Sequence, residues 1–337
     1  MGPGMVPAGA APAAAAEAEA DAAAEEAHVA VEEAAQAAAA CPLLELSYDE
    51  LSVLVHSLCD PLRPHLVIQL SSVARGLHAP MQAQLLELRA QHEAARRLAA
   101  LYMRPSGRPW SCVDLRDAEQ LLLGDFHGRP LSPSHWSTLG DLAARRCLRK
   151  LGTLVVIEDS GDGDEGVGQF AEGLRRGGLP SLTRLGLSNP QLGPVGAAAL
   201  AAALTRRAVP ALRILRFGQS RVGDAGMVAL AAPLRRLPAL QRLWLFENGI
   251  GDAGLSALLA QPMSDVLPAL EQLDLHNNRV GDAGCARLHV ALERGALPAL
   301  VTLTIMGNPC SDQAQRAVAE VLASRVKRTP ASDPQEA

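Results

Sequence analysis

Two short sequence markers recur at a nearly constant interval over the C-terminal two thirds of this chain. The first is an apolar-Pro-small-Leu tetrapeptide whose prolines are Pro180, Pro210, Pro238, Pro268 and Pro298, at intervals of 30, 28, 30 and 30 residues. The second, Gly-Asp-Ala-Gly, places Asp224, Asp252 and Asp282 fourteen residues after the three middle prolines. Two markers that stay in phase predict a solenoid in which each repeat packs on its neighbours.

Each repeat also contains a strand pattern followed by a helix pattern. Apolar pairs separated by one position predict the strands, and these pairs are Leu185 with Leu187, Leu215 with Phe217, Leu243 with Leu245, Leu273 with Leu275 and Leu303 with Ile305. Asn248, Asn278 and Asn308 follow at the turn that leaves the strand, where a side-chain amide can pair with free backbone groups. The aspartate of each Gly-Asp pair is predicted to be the N-cap of the helix.

Less regular copies of the repeat precede the five clear ones. A step of 30 residues back from Leu185 reaches Val155 and Ile157, which we predict as strand core, followed by Gly163-Asp164-Glu165-Gly166. A further step reaches the strand residues Leu121 and Leu123 and a helix start at Leu131-Ser132. We therefore predict about seven units over residues 113–327, with irregular terminal copies that shield the ends of the core.

A period of 28 to 30 residues with a full helix in each unit resembles the ribonuclease-inhibitor type of leucine-rich repeat. The resemblance covers roughly the C-terminal two thirds of the chain. It implies an α/β fold, a leucine-rich-repeat solenoid in the form of a horseshoe, with a concave parallel sheet and convex helices. It also implies a protein partner on the concave face.

The residues before the solenoid divide into two predicted regions. Residues 1–42 are almost entirely Ala, Glu, Gly and Pro and are predicted to be a disordered tail, as are residues 328–337. Residues 43–105 are predicted to form a small all-helical unit of three helices. The first has a capping box from Ser47 to Glu50, the second begins at Pro64, and the third begins at Pro80 and stops before Pro105.

This helical unit resembles a divergent F-box. The resemblance rests on Leu46-Ser47-Tyr48-Asp49-Glu50-Leu51, Leu54, Leu58, Asp60-Pro61-Leu62, Leu66, Leu70 and Val73. Ser47 stands where the family usually has Pro, and Leu77-His78 stands where it usually has an aromatic residue. The resemblance implies that the unit contacts a ubiquitin-ligase adaptor, and that the chain is the substrate receptor of a cullin-type ligase.

The charge and the cysteines of the chain indicate which classes of partner it can bind and in which cell compartment it is found. Residues 1–40 carry seven acidic groups and no Lys or Arg, so that the rest of the chain is close to neutral, and no basic stripe is visible along the sequence. We therefore predict no nucleic-acid partner. No membrane partner is predicted, because no apolar run is long enough to span a bilayer. Six widely spaced cysteines are interpreted as reduced core thiols, which favours the cytoplasm, with the nucleus possible.

Catalysis and cofactor binding have no support in the sequence. Residues 161–166 spell G-x-G-x-x-G, but their three carboxylates would repel a pyrophosphate, and Gly163 to Gly166 align with Gly-Asp-Ala-Gly. The nine histidines and six cysteines form no metal-ligand cluster. We predict no catalytic, cofactor-binding or metal site and interpret the chain as a protein that is not an enzyme.

The candidate binding residues alternate with the strand leucines and so point away from the core. Trp244 and Phe246 are large apolar groups at such positions. Polar and charged residues flank them, and the full predicted set is Arg216, Arg242, Trp244, Phe246, Gln272, Asp274 and His276. Aromatic residues with arginine at the centre and polar groups around them have the composition of an interface hot spot.

Three functions stay open at this point. The first is capture of a protein by the repeats, as in a ligase substrate receptor. The second is a GTPase activator, because similar repeats occur in Ran GTPase-activating proteins. That family usually carries an acidic segment after its repeats, whereas here the acidic segment comes first. The third is a non-catalytic scaffold or enzyme inhibitor.

Overall fold

The computed structural model of this chain describes residues 60–62, 64, 68, 75–102, 107–124, 131–157, 163–189, 191–260 and 266–328. Contacts divide the chain into two compact units, residues 1–90 and residues 91–337. Three predicted regions lie wholly or mostly outside the described residues. They are the tail over residues 1–42, the tail over residues 328–337 and the F-box-like motif.

The first helix that the structure describes, α1, spans Arg75–Ala99. Our prediction that a helix begins at Pro80 is therefore wrong, because α1 starts before this proline and continues through it. A proline ring has a helical φ and lacks the N–H, so at this position it removes one intrahelical hydrogen bond without stopping the helix. The predicted end before Pro105 is confirmed, and the predicted apolar positions Leu88 and Leu98 are buried.

One sheet of seven parallel strands, paired in chain order, follows in the second unit. The strands are β1 (Gln120–Gly124), β2 (Thr153–Ile157), β3 (Arg184–Ser188), β4 (Ile214–Gly218), β5 (Arg242–Trp244), β6 (Gln272–Asp274) and β7 (Thr302–Thr304). Parallel neighbours require a long crossover between successive strands, and here a helix supplies it.

Helices alternate with these strands throughout the described part of the second unit. They are α2 (Cys112–Asp117), which precedes β1, and then α3 (Pro133–Ala144), α4 (Gly163–Arg176), α5 (Pro194–Ala203), α6 (Gly223–Arg235), α7 (Asp252–Leu258), α8 (Asp282–Glu293) and α9 (Asp312–Arg328). From α3 to α9, each helix packs on the next one along the chain. The predicted α/β solenoid, with parallel strands in one layer and helices in another, is confirmed.

The strand leucines form a continuous buried row. The residues that face one another from β1 to β7 are Leu121, Leu154, Leu185, Leu215, Leu243, Leu273 and Leu303. The first six are at most 1% exposed. Leu303 is half-buried, because it lies on the last strand of the sheet. The core is thus built by stacking one aliphatic side chain on the next.

The strand core of β2 differs from our prediction by one residue. Leu154 and Val156 pair with Leu185 and Leu187 of β3 and are buried, whereas Val155 and Ile157 point to the opposite face and are half-buried. The interval from Leu154 to Leu185 is 31 residues, so a step of 30 selected the wrong face. In a strand, a shift of one residue exchanges the two faces of the sheet.

The three asparagines bond main-chain groups at the turns, as predicted, and these bonds also join neighbouring repeats. Asn278 Oδ1 accepts from the N–H groups of Asn248 (3.0 Å) and Ile250 (3.1 Å) in the preceding unit. Its Nδ2 donates to the carbonyl of Leu245 at 2.8 Å. Asn308 repeats this arrangement one unit later. Each amide thereby satisfies buried backbone groups that the tight turn leaves without strand or helix partners.

The aspartates do not cap their own helices, so that prediction is wrong. Asp224 Oδ1 instead accepts from the N–H groups of Gly251 (2.7 Å) and Gly254 (2.8 Å), which begin the helix of the following unit. Asp164 and Asp252 make the same pair of bonds to the units after them. The stacking of the repeats brings the next helix N-terminus within reach of a carboxylate that starts the preceding helix, and that N-terminus favours a negative charge.

The same contact explains the second glycine of Gly-Asp-Ala-Gly. A Cβ atom on Gly254 would lie 2.6 Å from Asp224 Oδ1, and one on Gly196 would lie 2.7 Å from Asp164 Oδ1. Only glycine leaves room for the carboxylate at this point. The motif is therefore a packing signature that joins successive repeats.

We expect Asp252→Ala to lower the free energy of unfolding by about 1–2 kcal/mol, because two N–H groups at the start of α8 lose their acceptor. Asp252→Asn should cost less, since an amide oxygen can still accept. Asp312 starts the last helix that the structure describes, so no described helix follows it for its carboxylate to bond, and it serves as the matched control. Urea denaturation of the three variants gives the comparison, and equal losses for Asp252→Ala and Asp312→Ala would contradict the inter-repeat role.

Gly163 to Gly166 behave as a copy of this motif. They open α4, and the carboxylate of Asp164 bonds the next helix. A Cβ atom on Gly166 would lie 2.5 Å from the indole of Trp136, so the glycine lets this buried ring pack against α4. The interpretation of these four residues as a repeat element is confirmed, while Gly161 and Asp162 lie outside the described residues.

The cysteines that the structure describes are Cys112, Cys147, Cys285 and Cys310, and all four are free and buried. Burial raises the pKa of the Cys285 thiol to about 12, so it is uncharged at neutral pH. This agrees with the prediction of reduced core thiols for these four residues. Cys41 and Cys59 lie outside the described residues.

Candidate functional site

The face of the sheet that points away from the buried leucines carries side chains in rows that run across the strands, and we call it the helix-free face. The middle row consists, from β1 to β7, of Leu122, Val155, Gly186, Arg216, Trp244, Asp274 and Thr304. A second row crosses the start of the strands and consists of Gln120, Thr153, Arg184, Ile214, Arg242, Gln272 and Thr302. Neighbouring strands are about 5 Å apart, so side chains in one row lie close enough together to meet the same ligand.

The structure places all seven predicted binding residues on this face. Arg216, Arg242, Trp244, Gln272 and Asp274 belong to β4, β5 and β6 and are half-buried. Phe246 and His276 follow β5 and β6 by two residues, and both are half-buried as well. The alternation therefore holds beyond the ends of the strands, and the seven residues form one patch on three adjacent repeats.

Four of the seven residues contact one another through their side chains. The rings of Phe246 and His276 are stacked, with centroids 4.8 Å apart and an angle of 8° between their planes. The guanidinium carbon of Arg216 lies 4.9 Å from the centroid of Phe246. His276 Nδ1 and Asp274 Oδ1 are 2.7 Å apart. We call Arg216, Phe246, His276 and Asp274 the stacked cluster.

Each contact in the stacked cluster holds the Phe246 ring in place. A cation over an aromatic face contributes about 0.5–1 kcal/mol at an exposed site. The Asp274 carboxylate also accepts from the main-chain N–H of His276 at 3.1 Å, which restricts the imidazole. A ring ordered before binding loses little conformational entropy when a partner covers it, so the cluster is suited to anchor a ligand.

Gly218 makes this arrangement possible. It lies at the end of β4, and the nearest atoms to a Cβ placed on it would all belong to the Phe246 ring, within 3 Å. The ring thus lies over the backbone of the neighbouring strand, next to Arg216. A side chain at position 218 would push the ring away from the arginine.

We expect Gly218→Ala to reverse the sign of its effect on stability when Phe246 is removed. In the wild-type background the clash should cost about 1–3 kcal/mol. In a Phe246→Ala background the clash is gone, and alanine should be neutral or stabilising by about 0.4–1 kcal/mol, because it reduces the entropy of the unfolded chain. Urea denaturation of the two single variants and the double variant measures this. Additive effects would show that Phe246 does not lie over Gly218 in solution.

Sequence reasoning missed an apolar part of the same face. Leu122 of β1 is 42% exposed, and Val155 and Ile157 of β2 are half-buried beside it. We had assigned Val155 and Ile157 to the core because of the one-residue shift in β2. The helix-free face is thus apolar on β1 and β2, aromatic and basic on β4 and β5, and polar on β6.

The residues that the structure describes include no group of three or more His, Cys, Asp or Glu side chains placed to hold a metal ion. In the same part of the chain, no helix is both long and apolar enough to cross a membrane.

The family model of the Leucine Rich repeat matches residues 237–259. This segment contains β5, the Asn248 turn and α7, which are the strand, the turn and the helix of one solenoid unit. The fold is a leucine-rich-repeat solenoid. No curated protein matches the chain significantly. Leucine-rich repeats form extended surfaces that bind other proteins, and the fold is typically a non-catalytic scaffold.

Proposed function

We propose that this chain is a non-catalytic protein-binding module that captures its partner on the helix-free face. The observation that carries the proposal is the stacked cluster beside Trp244, in which aromatic rings are half-buried next to Arg216 and Arg242. Few interface residues contribute most of the binding energy, and Trp, Tyr and Arg are the most frequent among them.

The chemistry of the face defines what a partner must present. Trp244 and Phe246 offer apolar surface, while Arg216 and Arg242 offer donors for carboxylates or main-chain carbonyls. Gln272, Asp274 and the threonines of β7 supply polar groups on the next repeats. A protein surface with an apolar residue beside an acidic one complements this pattern.

Affinity capture from native lysate with matched variants tests the proposal. Trp244→Ala with Phe246→Ala should abolish capture of the partner that the wild-type chain retains, while the thermal melting temperature stays near that of the wild type. The control replaces Val195 and Val228 by alanine, since both are exposed apolar residues on helices, away from the sheet. Loss of capture in the control, or retention in the double variant, would reject the helix-free face as the binding surface.

The identity of the captured proteins then distinguishes the finer functions. Adaptor and cullin subunits would support a substrate receptor of a ubiquitin ligase, with the F-box-like region as the adaptor contact. A small GTPase would support a GTPase activator of the Ran type. Any other partner that depends on Trp244 and Phe246 would support a scaffold or inhibitor. In each of the three cases, we propose that the repeats are of the ribonuclease-inhibitor type, because each unit contains a strand and a full helix.

A further inference from the structure

Pairs of arginines recur where helices of the solenoid end. They are Arg145-Arg146, Arg175-Arg176, Arg206-Arg207 and Arg235-Arg236, in four consecutive repeats. Because each pair lies at the end of a helix or just after it and precedes the next strand, all four lie along one edge of the solenoid. We call this the arginine edge. The repeats thus collect charges that are about 30 residues apart in the sequence.

Some of these arginines have structural roles. Arg146 Nε donates to the carbonyl of Gly177 at 2.8 Å, and Arg235 donates to the carbonyl of Ala260 at 2.8 Å, so both bond carbonyls after helices of the following repeats. Arg175 and Arg176 both bond Glu172, whose pKa they lower to about 2. Bonds to carbonyls at helix ends account for Arg146 and Arg235, and ion pairs with Glu172 account for Arg175 and Arg176.

Arg206, Arg207 and Arg236 are not explained in this way. All three are exposed, and none forms an ion pair with a residue that the structure describes. Arg206 and Arg207 come after the last residue of α5, Ala203, and no hydrogen bond from them to a helix carbonyl is observed among the described residues. Their charge is available to a ligand.

A cavity of about 640 Å³ lies at this edge. The described residues that line it include Arg206 and Arg236 together with apolar groups, among them Leu204, Pro233, Pro238 and Pro268. A second cavity of about 290 Å³ shares Arg206 and Pro238 with the first and is otherwise lined mainly by apolar residues. The two cavities are therefore adjacent, with apolar walls and cations beside them.

We propose that the arginine edge between α5 and α7 binds an acidic peptide segment of a partner protein that also carries apolar side chains. The carboxylates would bond Arg206 and Arg236, and the apolar side chains would fill the cavity lined by the prolines. Arginine binds carboxylates through two parallel N–H bonds, which is stronger and more directional than an ion pair with lysine.

A peptide fits these observations better than nucleic acid does. A phosphate backbone requires many unpaired cations along its path, whereas here the other arginine pairs of the edge are partly occupied by carbonyls or by Glu172. The apolar walls of both cavities would stay empty beneath a sugar-phosphate backbone. The edge is also separate from the helix-free face, so the proposal is independent of the function proposed above.

A phage-displayed library of random peptides, selected on the full-length chain, tests this proposal. We expect the enriched peptides to contain clustered Asp and Glu with at least one large apolar residue. Their affinity, measured by fluorescence anisotropy, should fall by about tenfold or more for the Arg206→Glu, Arg236→Glu double variant, because two charge-assisted pairs become repulsive. Arg221→Glu with Arg279→Glu is the matched control, since both residues are exposed before helix N-termini, at the opposite edge.

The Arg221→Glu, Arg279→Glu variant should bind the selected peptides within about twofold of the wild type. Its charges lie at the opposite edge of the solenoid, so solvent and salt screen them from the peptide. Selected peptides without acidic residues, equal losses in both double variants, or no enrichment at all would overturn the proposal. Duplex DNA that binds more tightly than any selected peptide, and that requires Arg206 and Arg236, would also overturn it and assign the edge to nucleic acid. Melting curves of both double variants confirm that they fold.

Discussion

Replacing Phe217 by alanine is expected to lower the free energy of unfolding by about 3–5 kcal/mol, which is a large part of the stability of a typical domain. Phe217 is fully buried and lies in register with Leu187 of the preceding strand. Its removal leaves a cavity within the continuous core of the solenoid, and neighbouring repeats are coupled through that core. The midpoint of urea denaturation measures the loss.

Phe246→Ala is the matched control for this experiment. It is the same substitution on the adjacent repeat, but on the opposite face of the sheet, where the ring is half-buried in the stacked cluster. We expect a loss of about 1 kcal/mol from the contacts with Arg216 and His276. A loss as large as that of Phe217→Ala would place Phe246 in the core and remove it from the proposed binding surface.

Asn278→Ala is expected to lower the free energy of unfolding by about 3 kcal/mol, although it removes only a small polar side chain. The side chain accepts from two N–H groups and donates to carbonyls of two repeats. Alanine cannot replace these bonds, and each buried backbone group left without a partner costs about 1–3 kcal/mol. The loss arises from unsatisfied backbone groups rather than from lost apolar contact.

Asn278→Asp separates the two halves of this effect. A carboxylate can still accept from Asn248 and Ile250, but it cannot donate to the carbonyl of Leu245. We therefore expect destabilisation from the loss of the donor and from the buried charge. Gln313→Ala removes an amide from an exposed site on α9 and should change stability by less than about 0.5 kcal/mol. An effect of Asn278→Ala as small as that of Gln313→Ala would show that the asparagines do not hold the turns.

The repeat period and the alternation of buried and half-buried residues determine much of this protein from its sequence alone. Local patterns decided these features, because the strands repeat a pair of apolar residues separated by one position, and three of the turns carry an asparagine. Three features were predicted for this reason. They are the leucines that face one another from β3 to β6, the asparagine turns, and the placement of Trp244 and Phe246 on the helix-free face.

Contacts between repeats could not be derived from a single repeat. The sequence predicts Asp224 as a cap of its own helix, whereas stacking places its carboxylate on the next helix. The register of β2 depended on an interval of 31 residues, which only the pairing of Leu154 with Leu185 reveals. Stacking of the Phe246 ring between Arg216 and His276 also required the space over Gly218 on a neighbouring strand.

The arginine edge shows most clearly the difference between what the sequence determines and what the tertiary structure determines. The sequence has Arg-Arg pairs about 30 residues apart, but no basic stripe was visible along it. Folding sets equivalent positions of successive repeats side by side, so residues that recur once per repeat line up along one edge. The sequence thus determined which residues recur, and the tertiary structure decided which of them meet, because proximity in a solenoid follows the stacking of repeats and not the distance along the chain.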